Sequence, residues 1–150
     1  MTIFQSDAIK GIVPTPYPAF AGVAVTTRFT ITVPATAAAN DILEAVIIPA
    51  GTRPADIFID ADDVDGGAGI TFDLGVMSGA VGSKDPARTC GAEFFAASAL
   101  GQTGGVAHPT LVSAYRVAAS NVERSIGIKI KTAAATPQAG VIGITLTVVA

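Results

Sequence analysis

Hydrophobic and polar side chains alternate along much of the chain, and this alternation predicts β-strands that bury one face and leave the other in water. It is clearest in residues 23–33, where valine, phenylalanine and isoleucine side chains interleave with alanine, threonine and arginine. The other predicted strands are residues 42–48, 55–62, 70–77, 126–131 and 142–148, with residues 111–117 as a further candidate. The pattern therefore predicts about seven to eight strands.

Glycine and proline lie between these stretches and mark the turns. Three glycines within residues 66–69 allow a tight reversal, so we expect the strands at 55–62 and 70–77 to pair as a hairpin. Residues 93–100 (EFFAASAL) predict the one short helix, which the following glycines end. The expected fold is all-β, a jelly roll or β-sandwich of about eight strands with one short helix.

The sequence of residues 1–22 predicts an extended N-terminal arm, followed by a sandwich domain at residues 23–150. Three prolines within PTPYPAF disfavour a helix or a central strand. A disordered tail is the alternative, but a solvated tail rarely carries several large apolar side chains. We therefore expect the arm to dock on a partner through Ile3, Phe4, Tyr17 and Phe20.

Composition and charge narrow the classes of partner. Of the 150 residues, 50% are hydrophobic and only 14% are charged, which suggests that a partner covers part of the surface. The formal net charge is −3 and the nine basic residues are scattered, which argues against binding to nucleic acid. No stretch approaches the ~20 apolar residues of a membrane span, so no membrane partner is expected.

The cysteine content and the N-terminal sequence predict where the chain is made. The single cysteine, Cys90, cannot form an internal disulfide, which is consistent with synthesis in a cytoplasm. The N-terminal segment MTIFQSDAIK lacks the basic segment and apolar run of a secretory signal. We expect Cys90 to be a small buried residue.

A third of the twelve acidic residues lie in one stretch, IDADDVDGG, at residues 59–67. An EF-hand calcium loop does not fit, because the positions that should hold an oxygen ligand and glycine hold Val64 and Asp65. Three interpretations stay open: a solvated hairpin tip, an acidic patch that faces a basic partner surface, and a looser calcium site. The ligands of that calcium site would be Asp60, Asp62, Asp65 and Asp73, the last from across the predicted hairpin.

No catalytic centre is expected. The one histidine, His108, excludes the multi-histidine metal site of some jelly rolls, and it stands in a loop beside Pro109. Acidic residues crowded into one loop lack the opposed pair of a glycosidase, and the glycine-rich stretches lack the ending of a phosphate loop. We therefore expect neither an enzyme nor a cofactor, with His108 in a loop or an interface.

Three stretches carry a resemblance to a known family. They are NDILEAVIIPAGTRPADIFIDADDVDGG, ITFDLGVMSG and GAEFFAASALGQTGG, which fall within residues 40–105. In these stretches the chain resembles the capsid cement proteins, or head decoration proteins, of short-tailed (podovirus-type) bacteriophages and their prophages. The motifs are structural and include no catalytic signature.

The resemblance implies a jelly-roll fold and a structural role in the virion. Proteins of this family bind the outer surface of an assembled capsid, bridge neighbouring major capsid proteins and resist the pressure of packaged DNA. The implied partners are the phage major capsid protein and further copies of the chain, as a homo-dimer or homo-trimer. The implied location is the capsid surface of the virion, after synthesis in the host cytoplasm.

A rival hypothesis comes from another class of protein. A carbohydrate- or calcium-dependent binding module of a tail or surface structure has a similar architecture. Sugar sites usually expose aromatic side chains, and this chain has no tryptophan and only two tyrosines. The composition therefore counts against the sugar-binding form of this hypothesis.

Overall fold

The computed structural model describes residues 1–150, which form nine β-strands and two short 3₁₀ helices. The 3₁₀ helices span Leu100–Gln102 and Val112–Tyr115, and no helix is long and apolar enough to cross a membrane. The strands are β1 (Ile3–Gln5), β2 (Ala24–Val33), β3 (Ile42–Ile48), β4 (Arg53–Ala61), β5 (Thr71–Val76), β6 (Phe95–Ser98), β7 (Gly105–Ala107), β8 (Arg124–Thr132) and β9 (Gly140–Val149).

The strands build two sheets that face each other as a jelly roll. The five-stranded sheet has the order β1-β3-β8-β5-β6, and the four-stranded sheet has the order β2-β9-β4-β7. From β2 onward the antiparallel pairs are nested: β2 with β9, β3 with β8, β4 with β7 and β5 with β6. Successive pairs alternate between the sheets, as in a long ribbon folded over on itself. The predicted all-β sandwich is confirmed.

Apolar side chains from the inner faces of both sheets fill the space between them. The main core contains 23 buried residues, and Phe72 and Phe94 are its largest fully buried side chains. In β2 the side chains of Phe29, Ile31 and Val33 are buried, whereas the residues between them are exposed. Removing this apolar surface from water is the main favourable contribution to folding.

The five-stranded sheet is covered on its outer face as well. Residues 77–94, which we call the covering loop, cross this face, and a β-bridge joins Met77 to Cys90 within it. Met77 packs with Ile3 and Ile42 in a second, smaller apolar cluster. Coverage on both sides explains why β3 is apolar on both of its faces.

The predicted hairpin between residues 55–62 and 70–77 is wrong. β4 pairs with β7 and β9, whereas β5 pairs with β6 and β8 in the other sheet. The glycines of residues 66–69 carry the chain from one sheet to the other. A period of two predicts which face of a strand is buried, but it does not identify the neighbouring strand.

The predicted helix at residues 93–100 is also wrong, because this segment contains strand β6. Phe94 is fully buried, and its backbone N–H donates to the carbonyl oxygen of Leu74 at 3.0 Å. Helix propensity differs by less than about 0.7 kcal/mol between ordinary residues. Strand pairing with the edge of β5 and burial of Phe94 therefore outweigh it. Residues 111–117, a candidate strand, contain the second 3₁₀ helix instead.

The predicted arm, residues 1–22, divides into a part inside the sandwich and an exposed part. β1 pairs in parallel with β3, and the N–H of Ser6 extends this pairing to the carbonyl oxygen of Glu44 at 2.9 Å. The N–H of Thr2 donates to the carboxylate of Asp41 at 2.6 Å. Residues 10–22 are mostly exposed, and residues 14–18 form no helix, strand or turn. Only this second part has no strand in either sheet, and within it Pro18 is buried against the body of the chain.

Two glycines let the covering loop lie directly on the five-stranded sheet. A Cβ atom at Gly75 would lie 2.2 Å from the backbone of Gly91, and one at Gly127 would lie 2.8 Å from the side chain of Met77. The outer face of β8, expected from the sequence to be exposed, is therefore covered at Gly127. At Gly75 the short contact is with backbone, so any side chain there would force the loop to move.

We expect Gly75→Ala to lower the free energy of unfolding by about 1–3 kcal/mol, because the loop backbone has to move. Urea unfolding followed by circular dichroism measures this change. Gly66→Ala is the matched control, since the nearest atom to a Cβ there is 3.8 Å away. Equal stability of Gly75→Ala and wild type would contradict the close approach of the loop.

Candidate functional site

The acidic stretch does not form one site, because its carboxylates have separate partners. Asp60 forms a bidentate ion pair with Arg28 across the outer face of the four-stranded sheet, with nitrogen–oxygen distances of 3.1 and 2.5 Å. Asp62 accepts a hydrogen bond from the backbone of β9 at 2.8 Å. Asp63 accepts a hydrogen bond from the N–H of Asp65 at 2.9 Å, which forms a local turn.

Asp65 is the structural centre of the stretch and is only 1% exposed. Burial by itself would raise the pKa of its carboxyl group, but several backbone N–H donors outweigh burial and hold the pKa well below its ordinary value. The carboxylate ties the chain between β4 and β5 to the chain between β8 and β9. Its five donors, at 2.5–3.0 Å, are the N–H groups of Gly67, Gly69, Ile70, Ala135 and Thr136.

The structure does not bring Asp60, Asp62, Asp65 and Asp73 together. Asp73 lies on β5 in the other sheet, where it accepts a hydrogen bond from the backbone of β6 at 2.7 Å and pairs with Lys131 at 3.7 Å. No group of three or more His, Cys, Asp or Glu side chains has an arrangement that could hold a metal ion. A calcium ion bound by these four residues would require Asp73 to leave its sheet.

A buried ion pair lies between β3 and the covering loop. Glu44 and Arg88 are 0% and 4% exposed, and two guanidinium nitrogens donate to the two carboxylate oxygens at 2.8 and 3.0 Å. Burial would raise the pKa of Glu44, but hydrogen bonds from Arg88, Ser125 and the N–H of Gly82 lower it. The carboxylate is therefore ionised and satisfied in the interior.

The ion pair connects segments that are distant in sequence. Arg88 also donates to the carbonyl oxygens of Ser78 and Ser83 at 2.7 Å each, which closes the covering loop on itself. Gln5 of β1 donates to the carbonyl oxygen of Gly82 in the same loop at 2.7 Å. The pair thus holds the loop on the outer face of the sheet, and the loop in turn contacts β1, the edge strand of that sheet.

This ion pair was not predicted. Glu44 is the one polar residue of an apolar strand, and from this contrast a buried charge could have been predicted. A buried carboxylate needs a cationic partner. Arg88 lies 44 positions away, and nothing in the local pattern identifies it.

Neither Cys90 nor His108 has the surroundings of a catalytic group. Burial, with the negative charge of Glu93, raises the pKa of the Cys90 thiol to about 12, so it is not a nucleophile near neutral pH. Its sulfur lies 3.1 Å from the carbonyl oxygen of Gly127. His108 is exposed and packs against Phe58, with ring centroids 5.0 Å apart.

Several of the side chains that remain uncovered are apolar. Tyr17 is 56% exposed and Phe20 is 74% exposed. Tyr17 lines a groove with Pro49, from the turn after β3, and with Val122, from the segment before β8. We call Tyr17, Pro49 and Val122, together with the exposed Phe20 three positions further along the chain from Tyr17, the arm surface. An exposed apolar surface that contains aromatic side chains is typical of protein–protein contacts.

Two of the four residues predicted to dock on a partner have a place within their own chain. Ile3 belongs to the small apolar cluster and Phe4 packs against the main core. Tyr17 and Phe20 remain available to a partner. Binding of a partner by these residues stays a prediction.

We expect Asp65→Asn to lower the melting temperature by roughly 5 °C or more, because an amide nitrogen would face backbone donors that need an acceptor. The lowered pKa gives the sign of the pH dependence. The stabilisation is present above the ordinary pKa of 3.8 and is lost as the pH falls through the lowered value.

The difference in melting temperature between wild type and Asp65→Asn should therefore stay constant from about pH 5 to pH 8 and shrink below about pH 4. Thermal melts at several pH values measure it. Asp60→Asn is the control, since its ion pair is exposed and contributes little. A melting temperature of Asp65→Asn equal to that of wild type would show that the carboxylate does not tie these segments.

We expect Arg88→Met to destabilise the protein by about 3–5 kcal/mol, because it leaves a buried carboxylate without its partner. The double variant Glu44→Gln/Arg88→Met should recover part of this loss, since no uncompensated charge is then buried. Urea unfolding of Arg88→Met, Glu44→Gln and the double variant measures the coupling between the two residues. Losses that simply add would be inconsistent with a direct ion pair.

Comparison with known proteins gives a result only among solved structures, since no protein-family model and no curated protein matches the chain. A chain in the capsid asymmetric unit of cyanophage Pam1 covers 91% of this chain and 91% of its own length at 19% identity, with a TM-score of 0.64, and so shares the fold. A chain in the capsid of Ralstonia phage GP4 is 45% identical, covers 98% of this chain and 97% of its own length, and has a TM-score of 0.92.

The match to the GP4 capsid extends over nearly the whole of both chains. At 98% coverage it takes in the covering loop and the acidic stretch as well as the sandwich core. The chain therefore belongs to the same family as this chain of the Ralstonia phage GP4 capsid, and it is a structural protein of a phage capsid.

Proposed function

We propose that the protein is a cement, or decoration, protein of the phage head. In this role it binds the outer surface of the capsid, bridges neighbouring major capsid proteins and stabilises the DNA-filled head. The observation that carries the proposal is the arm surface, where Tyr17 and Phe20 are exposed while the acidic stretch and the buried ion pair are occupied within the chain. What remains free at the arm is suited to contact with another protein.

The size of the arm surface fits a weak contact that is repeated many times. An aromatic side chain can bury about 150–250 Å², and each Å² of apolar surface contributes roughly 25 cal/mol. Two such side chains contribute several kcal/mol before the cost of association is subtracted. Many copies bind one symmetric shell, and each copy is also associated as a homo-dimer or homo-trimer. The weak contacts of the single copies then add up to strong binding of the assembly.

The division of the N-terminal segment determines which experiment is informative. Removing all of residues 1–22 would delete β1 and the bonds from Gln5 and Thr2 to the body of the domain. The folded state would lose stability, and a loss of binding would have no clear meaning. Substitutions in the exposed part avoid this problem.

We expect Tyr17→Ser/Phe20→Ser to bind capsids at least about tenfold more weakly than wild type, because the buried aromatic area is lost. Co-sedimentation with capsids assembled without this protein measures the binding. Val106→Ser is the matched control, since this valine is 65% exposed on β7. β7 pairs with the C-terminal end of β4, whereas Pro49 lies just before the start of β4.

The melting temperature of the double variant should stay close to that of wild type, which separates binding from folding. Capsid binding by Tyr17→Ser/Phe20→Ser that equals wild-type binding would refute a role of the arm surface. Weaker binding by Val106→Ser alone would place the contact on the other side of the sandwich.

A further inference from the structure

Strand β2 leaves one long edge of the sandwich unpaired. It is the outermost strand of the four-stranded sheet, and all ten of its residues from Ala24 to Val33 pair with β9 on one side. No backbone or side-chain hydrogen bond from the rest of the chain reaches its backbone on the other side. Half of its N–H and C=O groups therefore point outward without a protein partner.

This edge lacks the features that normally prevent strand addition. β2 contains no proline, its pairing with β9 has no bulge, and Arg28 is its one charged residue. The other edges of the sandwich differ. β1 and β7 have three residues each, and β6 has four, of which Ala97 has a positive φ of 48°. An added strand of more than four residues therefore finds room only on β2.

The exposed arm has a backbone suited to such an edge. Prolines occupy positions 14, 16 and 18, so residues 13–18 are each either a proline or the residue before one. Both positions favour an extended backbone. None of the N–H groups of Thr15, Tyr17 and Ala19 makes a hydrogen bond within the chain.

The alternation of prolines makes the two edges of the arm unequal. In an extended strand, successive residues direct their N–H and C=O groups to opposite edges. Thr15, Tyr17 and Ala19 therefore present donors and acceptors along one edge. The prolines present an edge without donors, on which no further strand can add.

We propose that residues 15–19 of one copy of the chain add as a strand to the free edge of β2 in a second copy. The outward groups of β2 gain partners, and the proline edge of the arm ends the sheet after one added strand. A groove beside the β2 edge, lined by Thr30 and Thr32 on one side and by residues 2–7 on the other, gives the arm space. Because each added edge is inert, one arm fills one β2 edge, and exchange of arms links copies of the chain.

Within its own chain the arm does not use this edge. A turn joins the N–H of Val23 to the carbonyl oxygen of Phe20, and Tyr17 lies beside Pro49 at the end of the sandwich. Pro18 is buried in this arrangement. The arm therefore lies against the end of the sandwich and has to leave it to reach a second copy, whereas the long edge of β2 stays open. Self-association through the arm requires no capsid, so it is tested separately from the proposed function.

The test replaces arm donors without disturbing the sandwich. Thr15→Pro/Ala19→Pro removes two of the three donors and keeps the arm extended, whereas Pro16→Ala leaves all three in place. Sedimentation velocity over micromolar to millimolar concentrations measures self-association of the full-length chain. We expect wild type and Pro16→Ala to associate alike, and Thr15→Pro/Ala19→Pro to associate at least about tenfold more weakly.

Hydrogen exchange identifies the edge. Amides of residues 24–33 should gain protection as wild type associates and should gain none in Thr15→Pro/Ala19→Pro at the same concentrations. A wild-type chain that stays monomeric, an unchanged association of Thr15→Pro/Ala19→Pro, or an equal loss in Pro16→Ala would overturn the proposal. If Thr15→Pro/Ala19→Pro loses self-association but still binds capsids, arm exchange is supported. In that case the arm's side chains serve the capsid contact and its backbone N–H groups serve self-association.

Discussion

The ion pair between Glu44 and Arg88 is the interaction on which the outer layer of this jelly roll depends. It lies in the interior, where each charge would be costly alone. Hydrogen bonds from Ser125 and from the covering loop satisfy the carboxylate, and carbonyl oxygens of the loop satisfy the guanidinium. The pair holds the loop on the sheet and the loop holds β1.

Asp65 plays the corresponding part at the other side of the molecule. A single carboxylate organises two connections between the sheets by accepting five backbone donors. Both acids serve folding, and neither is available to a substrate or a metal ion. Among the groups that are not occupied within the chain are the apolar side chains of the arm surface and the unpaired backbone of β2. These are means of association, which suits a structural protein of a capsid.

The sequence predicted the class of fold because alternation reports burial directly. Residues of β2, β4, β5, β8 and β9 were identified as strands from this pattern, and the structure places each of them close to its expected range. Partners of these strands were not predictable in the same way. The hairpin expected at residues 66–69 does not form, since nested pairing brings together strands that are far apart in the chain. The helix expected at residues 93–100 failed for a related reason, because an available sheet edge outweighed a weak local propensity.

Local features follow from the order of residues: the period of each strand, the faces that are buried, and the extended backbone that alternating prolines impose on the arm. Three other features depend on how the whole chain packs: which acidic residue is buried, which arginine meets Glu44, and which part of the N-terminal segment belongs to the body. Local patterns act between residues a few positions apart, where sterics and side-chain periodicity operate. Ion pairs and sheet order depend on residues tens of positions apart, and so does the identity of the strand edge that stays free. These features are therefore decided only when the whole chain folds.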